Sequence, residues 1–331
     1  MAGFILRRLV SSFLVVVLTS MFVFALFFLG PSNPAAPICD AQGKCTPERM
    51  ALIEHSMGLD QNVVTAYGIF VKGLFVDRTV SVGADYECSA PCLGISYGSR
   101  GEVTKELLKK YPATLSIAVG GAGIYLLLGI ILGALAARWR GTSADRMLVG
   151  GSLLISSVPY YLFALLAWIF LSLQFKVFPE TNYVPLTENP AAWAGHMMLP
   201  WLALGISGST VYARFTRGSM VDTLGEDYIR TATAKGVKSN RVIFKHALRA
   251  AIVPVITIFG LDFAALLAGT VFTEQIFGID GIGRWGLDAI TSPQDFPVIT
   301  ATVLVAAVLV VVANLVVDII YSFLDPRVRL T

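Results

Sequence analysis

Two side chains that could take part in chemistry, those of Ser207 and Asp262, lie inside long apolar runs. Ser207 belongs to the G-x-S-G stretch from Gly205 to Gly208, where a nucleophilic serine could sit within a membrane. Such a nucleophile needs a base, usually a histidine, at the same depth. The chain has three histidines, and none falls in the middle of an apolar run. We therefore interpret the glycines and Ser207 as small residues that let helices approach closely, with intramembrane proteolysis as a remote alternative.

Asp262 lies near the middle of another apolar run. A carboxylate there is costly unless it faces water, a cavity or a partner side chain. Two interpretations stay open: a hydrogen bond to a neighbouring helix, or a place in a solute pathway together with Ser207, Thr210 and Asn314. Proton coupling through Asp262 would make the chain an ion-driven carrier, although the spans show no second acid or base at that depth.

The longest polar interruption in the C-terminal two thirds of the chain runs from Arg214 to Pro254. It carries eight basic and three acidic side chains, and long apolar runs flank it. The basic residues are Arg214, Arg217, Arg230, Lys235, Lys238, Arg241, Lys245 and Arg249. Because basic loops between membrane helices are retained in the cytoplasm, this loop is predicted to be cytoplasmic.

All four cysteines lie between residues 30 and 110, namely Cys39, Cys45, Cys88 and Cys92. If this segment is outside the cytoplasm, its environment favours disulfides, and four cysteines allow three pairings. We predict two disulfides and leave the pairing open. The spacings do not match the usual zinc-finger spacing, so no metal site is predicted.

The composition places the chain in a bilayer. Of 331 residues, 55% are hydrophobic and only 14% are charged, against about a quarter in soluble domains. Several apolar runs approach the length that crosses a membrane. The net charge of +3 is small, and no basic stripe with interleaved aromatic residues points to nucleic acid.

The apolar pattern predicts an all-α protein with six transmembrane helices. The expected spans lie near residues 9–29, 112–136, 147–173, 197–213, 251–273 and 298–323, with a kink at Pro159. The predicted domains are an N-terminal helix (1–30), an extracytoplasmic cap (31–110), a five-helix transmembrane domain (111–323) containing the 214–250 loop, and a cytoplasmic tail (324–331). Fifteen basic residues then face the cytoplasm and two lie in the short outer loops, which predicts that both termini are inside.

The sequence contains no G-x-x-x-x-G-K-[ST] motif for binding nucleotide phosphates. Residues 236–239 read Gly-Val-Lys-Ser, with valine where a phosphate-binding loop needs a glycine directly before its lysine. Any ATP and Mg²⁺ are therefore expected on separate subunits, so the chain itself is predicted not to be an enzyme and to hold no cofactor.

The central loop from residue 218 reads GSMVDTLGEDYIRTATAKGVKSNRVIFKHALRAAIVPVI. It resembles the cytoplasmic coupling loop, with its EAA motif, of ABC importer permeases, and most resembles the first permease subunit of dipeptide and oligopeptide importers. Gly236 matches the motif glycine and Ala232 its second alanine, while Arg230 and Thr231 replace Glu and the first Ala. Further likeness lies in PSNP (31–34), YPATLSIA (111–118), SSVPYY (156–161) and FGIDGIGRWGLDAI (277–290). The Cys88–Cys92 stretch looks like an insertion.

The resemblance implies a type I ABC importer permease in a bacterial plasma membrane. It implies a second, similar permease subunit, two cytoplasmic ATPase subunits or domains and an extracytoplasmic substrate-binding protein. A short surface helix that ends at Gly236 would contact the ATPase. The residues assigned to this contact are Glu226, Asp227, Tyr228, Ile229, Arg230, Thr231, Ala232, Lys235 and Gly236.

Overall fold

The computed structural model describes residues 2–29, 33, 35–36, 39, 45–56, 59–82, 84–291 and 294–324. These residues are mostly helical. In chain order the helices are α1 (Ala2–Leu29), α2 (Pro47–Ser56), α3 (Val63–Gly73), α4 (Val103–Arg138), α5 (Ser143–Ser157), α6 (Tyr160–Gln174), α7 (Pro190–Leu224), α8 (Asp227–Ala234), α9 (Ser239–Ala268), α10 (Val271–Ile276), α11 (Ile282–Ile290) and α12 (Phe296–Leu324). The predicted tail 324–331 lies almost wholly outside the described residues.

Among the described residues, four helices are long and apolar enough to cross a membrane: α1, α4, α9 and α12. The bent pair of α5 and α6 makes a fifth span if it is counted as one. Helix α7, the predicted fourth span, has 35 residues, but glycine, serine, threonine and proline lower its hydropathy. The structure therefore agrees with a polytopic all-α membrane protein, and the count of six spans stays a prediction.

Pro159 breaks the third predicted span more sharply than a kink. Helices α5 and α6 meet at 92° around Val158 and Pro159. The hydroxyls of Ser156 and Ser157 donate to the carbonyls of Leu153 and Leu154. The carbonyl that loses its helical donor to Pro159 is that of Ile155, and it accepts from the Val158 N–H at 3.2 Å instead, so the serine hydroxyls do not replace the missing bond.

The chain divides into two compact units. The first comprises Met1–Thr114, Leu267–Val271 and Asp280–Leu315, and the second comprises Leu115–Leu266, Phe272–Ile279 and Val316–Thr331. The long helix α4 therefore begins in the first unit and ends in the second.

The first unit contains the predicted cap. An antiparallel hairpin of β1 (Arg78–Ser81) and β2 (Asp85–Cys88) stands beside the short helices α2 and α3. Disulfides join Cys39 to Cys45 and Cys88 to Cys92. Three of these cysteines are fully or almost fully buried and pack with Ile53, Val82 and Ile95. So small a core has little apolar surface, which is why covalent links are valuable in it.

We expect these two disulfides to be the ones found in the mature protein. Peptide mapping under non-reducing conditions should recover Cys39 with Cys45 and Cys88 with Cys92, and alkylation of the unreduced, denatured chain should label no thiol. Any peptide that links the first pair to the second would contradict the fold of this segment.

Asp295, a buried carboxylate, attaches the 94–98 loop to the start of α12. Its Oδ2 accepts a hydrogen bond from the Ser96 hydroxyl at 2.6 Å and from the Gly98 N–H at 3.1 Å. Tyr97, also in this loop, is half-buried, and both desolvation and the Asp295 charge raise the pKa of its phenol. Lys110 of α4 also pairs with Asp280 within this unit, at 2.5 Å.

In the second unit, glycines let α4 and α7 approach closely. A Cβ on Gly205 would lie 2.3 Å from Ile124 Cγ2, and one on Gly208 would lie 3.0 Å from Tyr125. The G-x-S-G stretch therefore does what the packing interpretation predicted. Tyr125 stacks on Tyr212 with ring centroids 4.9 Å apart, beside the buried Val255.

Candidate functional site

The predicted coupling segment forms a short helix between two long ones. Glu226 precedes α8 in an extended conformation, and α8 runs from Asp227 to Ala234. Gly236 then adopts φ +80°, the left-handed conformation that ends helices and suits glycine. Both the helix and its end at Gly236 agree with the sequence-based prediction.

One residue of α8 anchors it to the rest of the second unit. Ile229 is only 3% exposed and belongs to a cluster of buried residues that includes members of three long helices. The other buried members of this cluster are Ala134 and Ala137 of α4, Met220 of α7, and Val242, Ile243, Ala247 and Ala251 of α9. A force applied to α8 would therefore reach α4, α7 and α9 through a single apolar cluster.

The rest of α8 faces away from this cluster. Tyr228 is 48% exposed, and burial together with the Glu226 charge raises the pKa of its phenol. Arg230 and Asp227 form a weak pair at 3.6 Å, with side chains 73% and 97% exposed. Of the other residues predicted here, Glu226, Thr231, Lys235 and Gly236 are exposed and Ala232 is half-buried. The segment thus presents a charged surface with one aromatic side chain.

A buried ion pair between α5 and α7 was not predicted from the sequence. The guanidinium of Arg217 on α7 donates two hydrogen bonds to the carboxylate of Asp145 on α5, at 2.6 and 2.7 Å. Asp145 also accepts from the Gly141 N–H and is almost fully buried. The only sequence signal was an acid at the start of an apolar helix, which does not identify its partner.

Asp262 makes a hydrogen bond to a neighbouring helix. The Tyr212 hydroxyl of α7 donates to its Oδ2 at 2.6 Å, and Tyr125 of α4 stacks on Tyr212. Asp262 is nevertheless exposed in the isolated chain. The structure therefore shows the bond that one interpretation required, and leaves one side of the carboxylate open.

The other polar residues assigned to a pathway are divided between the two units. Thr210 is buried and its hydroxyl donates to the carbonyl of Ser207, one turn earlier on α7. Asn314 belongs to the other unit, and its buried Oδ1 has no hydrogen-bond partner among the described residues. A role for Ser207, Thr210, Asp262 and Asn314 in a pathway stays a prediction.

We expect Asp262→Asn to keep import within about twofold of the unchanged protein, because an amide oxygen still accepts from Tyr212. Asp262→Ala should lower stability by about 1–2 kcal/mol, since the Tyr212 hydroxyl loses its acceptor. Uptake assays and unfolding in detergent would measure the two effects. Loss of all import in Asp262→Asn would instead favour proton coupling through this carboxylate.

The fold defines the class of protein. One solved structure, titled as inward-facing conformations of the MetNI methionine ABC transporter, matches with a TM-score of 0.55 over 67% of this chain and 97% of that one. The sequences are 15% identical, so the likeness concerns the fold alone. It is the type I ABC importer permease fold that the sequence predicted.

Two family models then cover almost the whole chain. The model for the inner membrane component of binding-protein-dependent transport systems matches residues 129–330, and the model for the N-terminal part of such membrane components matches residues 1–118. The chain belongs to this family of transport permeases and is an inner-membrane protein with several apolar helices. The carrier and protease alternatives find no support here.

Close relatives share the full length of the chain. A probable peptide ABC transporter permease of Sinorhizobium fredii is 33% identical over 99% of this chain and 100% of its own length. A putative peptide transport system permease of Brucella abortus is 35% identical, and the dipeptide transport system permease DppB of Escherichia coli is 34% identical, each over 99% of both chains.

Proposed function

We propose that this chain forms half of the translocation pathway of an ATP-driven importer of dipeptides or oligopeptides. The full-length relatives named as peptide and dipeptide permeases support this substrate class. A second, similar permease subunit would form the other half. An extracytoplasmic binding protein would deliver the solute, and two cytoplasmic ATPase subunits or domains would bind ATP and Mg²⁺.

The observation that carries the coupling role is the geometry of α8. Its outer surface is polar and exposed, whereas Ile229 belongs to a buried apolar cluster that also contains residues of α4, α7 and α9. A partner that moves α8 therefore moves the cytoplasmic ends of three long helices together. Alternating access would follow as rigid-body rocking of these helices when the ATPases close and reopen.

The proposed function implies how the chain is oriented in the membrane. Both termini and α8 would face the cytoplasm, with the disulfide-linked 31–110 segment on the outside, where an oxidising environment preserves its bonds. The membrane domain would extend over residues 111–323, with the coupling loop at 214–250. The solute would pass near Ser207, Thr210, Asp262 and Asn314.

Photocrosslinking tests the contact between α8 and the ATPase. A photoreactive phenylalanine in place of Tyr228, which is 48% exposed, should capture an ATPase subunit in membranes of the native host. The matched control is the same substitution at Tyr161, which is 54% exposed but lies on α6. Failure of the first position to capture a nucleotidase would overturn the assignment, as would uptake by the chain alone without nucleotide.

Charge reversal at Arg230 should reduce import by at least about tenfold, because the surface offered to the partner changes sign at its centre. Folding should be unaffected, since its pair with Asp227 is exposed and such pairs contribute under about 1 kcal/mol. Import into vesicles and the amount of inserted protein are the two readouts. Arg138→Glu, exposed at the end of α4 and outside the 214–250 loop, is the control. Equal import by both variants would contradict the proposed contact.

A further inference from the structure

A cavity of about 270 Å³ lies between α4, α5 and α7 in the second unit. Its walls are mostly apolar, and its cations are Arg214 and Arg217 of α7. The apolar side chains that line it include Leu128 and Leu132 of α4, Met147, Leu148 and Ile155 of α5, and Ile206 of α7. A cavity with this lining suits a hydrocarbon chain better than a polar solute.

The two arginines differ in how they are neutralised. Arg217 donates two short hydrogen bonds to Asp145, which neutralises its charge. Arg214, one turn earlier, contacts only the Ser156 hydroxyl at 3.4 Å and forms no ion pair among the described residues. A half-buried guanidinium with most of its five donors unused is a ready binding group for phosphate oxygens.

The surroundings of the cavity have the character of a membrane surface. Arg138, Arg140 and Arg146 are exposed where α4 ends and α5 begins, and Trp139 between the first two is 41% exposed. Arginine with tryptophan at the end of an apolar helix is the usual arrangement at the headgroup level. On α5, Met147 is 76% exposed and Leu154 is 73% exposed, as on a surface that faces acyl chains.

We propose that this cavity binds one anionic phospholipid, with an acyl chain among α4, α5 and α7 and its phosphate at Arg214. The positive charge at the cavity favours an anionic lipid. The described residues that line the cavity include two arginines and no acid, and Asp145, outside the lining, is already paired with Arg217. Basic pockets between membrane helices select anionic headgroups for this reason. The site is independent of the proposed peptide specificity.

Native mass spectrometry of the intact, delipidated importer complex tests the proposal. Phosphatidylglycerol should bind with one site of higher affinity, phosphatidylethanolamine should bind at least about fivefold more weakly, and inorganic phosphate should not compete at equal concentration. Arg214→Gln should lower the phosphatidylglycerol affinity by at least about fivefold. Arg249→Gln, an exposed arginine outside the cavity, should leave it unchanged.

Two neighbouring glycines give a second, independent test. A side chain added at Gly151 or at Gly150 meets no atom within 4 Å of its Cβ, but only Gly151 lines the cavity. Gly151→Leu should therefore fill the cavity and abolish the high-affinity site, whereas Gly150→Leu should keep it.

Four results would overturn the proposal. The first is equal binding of the two lipids, and the second is unchanged binding in Gly151→Leu. The third is displacement of phosphatidylglycerol by a dipeptide, which would assign Arg214 to the solute pathway. The fourth is exclusion of the lipid by the assembled second permease subunit.

Discussion

Gly236→Val is expected to reduce import by at least about tenfold while the protein still inserts and folds. Gly236 has φ +80°, and a β-branched residue there costs about 1–2 kcal/mol. An added Cβ would meet no atom within 4 Å, so the whole cost arises from the backbone. The chain would relieve it by changing the end of α8, and the surface that contacts the ATPase would be reoriented.

A matched control is available on α7. Gly218 also has open space around an added Cβ, but its backbone is helical, so Gly218→Val should transport normally. Gly236→Asn should recover most of the import, because asparagine tolerates the left-handed conformation. Import and the ATPase rate with and without binding protein are the measurements. Normal import by Gly236→Val would remove the end of α8 from the coupling mechanism.

Asp145→Ala should destabilise the protein by about 2–4 kcal/mol, the largest stability effect that we expect from one charged residue. The variant leaves Arg217, which is 29% exposed, without its two hydrogen bonds and leaves the Gly141 N–H without an acceptor. This pair connects α5 to α7, the helix that leads directly into α8. Chemical unfolding in detergent is the appropriate measurement.

The control for this effect is the exposed pair of Arg230 and Asp227 in the same unit. Asp227→Ala removes a carboxylate that is 97% exposed, and it should change stability by less than about 0.5 kcal/mol. Replacing both members of the buried pair, Asp145→Leu with Arg217→Met, should restore much of the loss, because no unpaired charge remains. A small effect of Asp145→Ala would show that Arg217 finds another partner or water.

The end of α8 at Gly236 was predictable because its signal is local, since glycine readily adopts the left-handed conformation that ends a helix. The charged stretch before it is equally compatible with a solvated loop, and the helix itself was predicted from the resemblance to the coupling loop of ABC importer permeases. The long apolar helices were equally visible, although α4 and α7 extend well beyond the predicted spans. Helical hydrogen bonds continue past the apolar region, and hydropathy does not mark where they stop.

Pro159 shows the limit of local reasoning. A proline in an apolar run predicts an interruption, but the same sequence is compatible with a mild kink or a sharp turn. The angle of 92° depends on what α5 and α6 pack against, and α7 contacts both. The sequence also left three disulfide pairings open, and the structure shows the one that joins the cysteines nearest in sequence, Cys39 with Cys45 and Cys88 with Cys92.

The amino-acid sequence by itself determined the membrane location, the helical class, the basic loop and the helix end at Gly236, because hydropathy, charge and glycine conformation act within a few residues. Only the tertiary structure decided that Asp145 pairs with Arg217, that Tyr212 donates to Asp262, and that Ile229 shares a buried cluster with residues of three long helices. These partners are separated by 72, 50 and up to about 95 positions along the chain. Contacts between residues so far apart depend on how the helices pack, which no local pattern encodes.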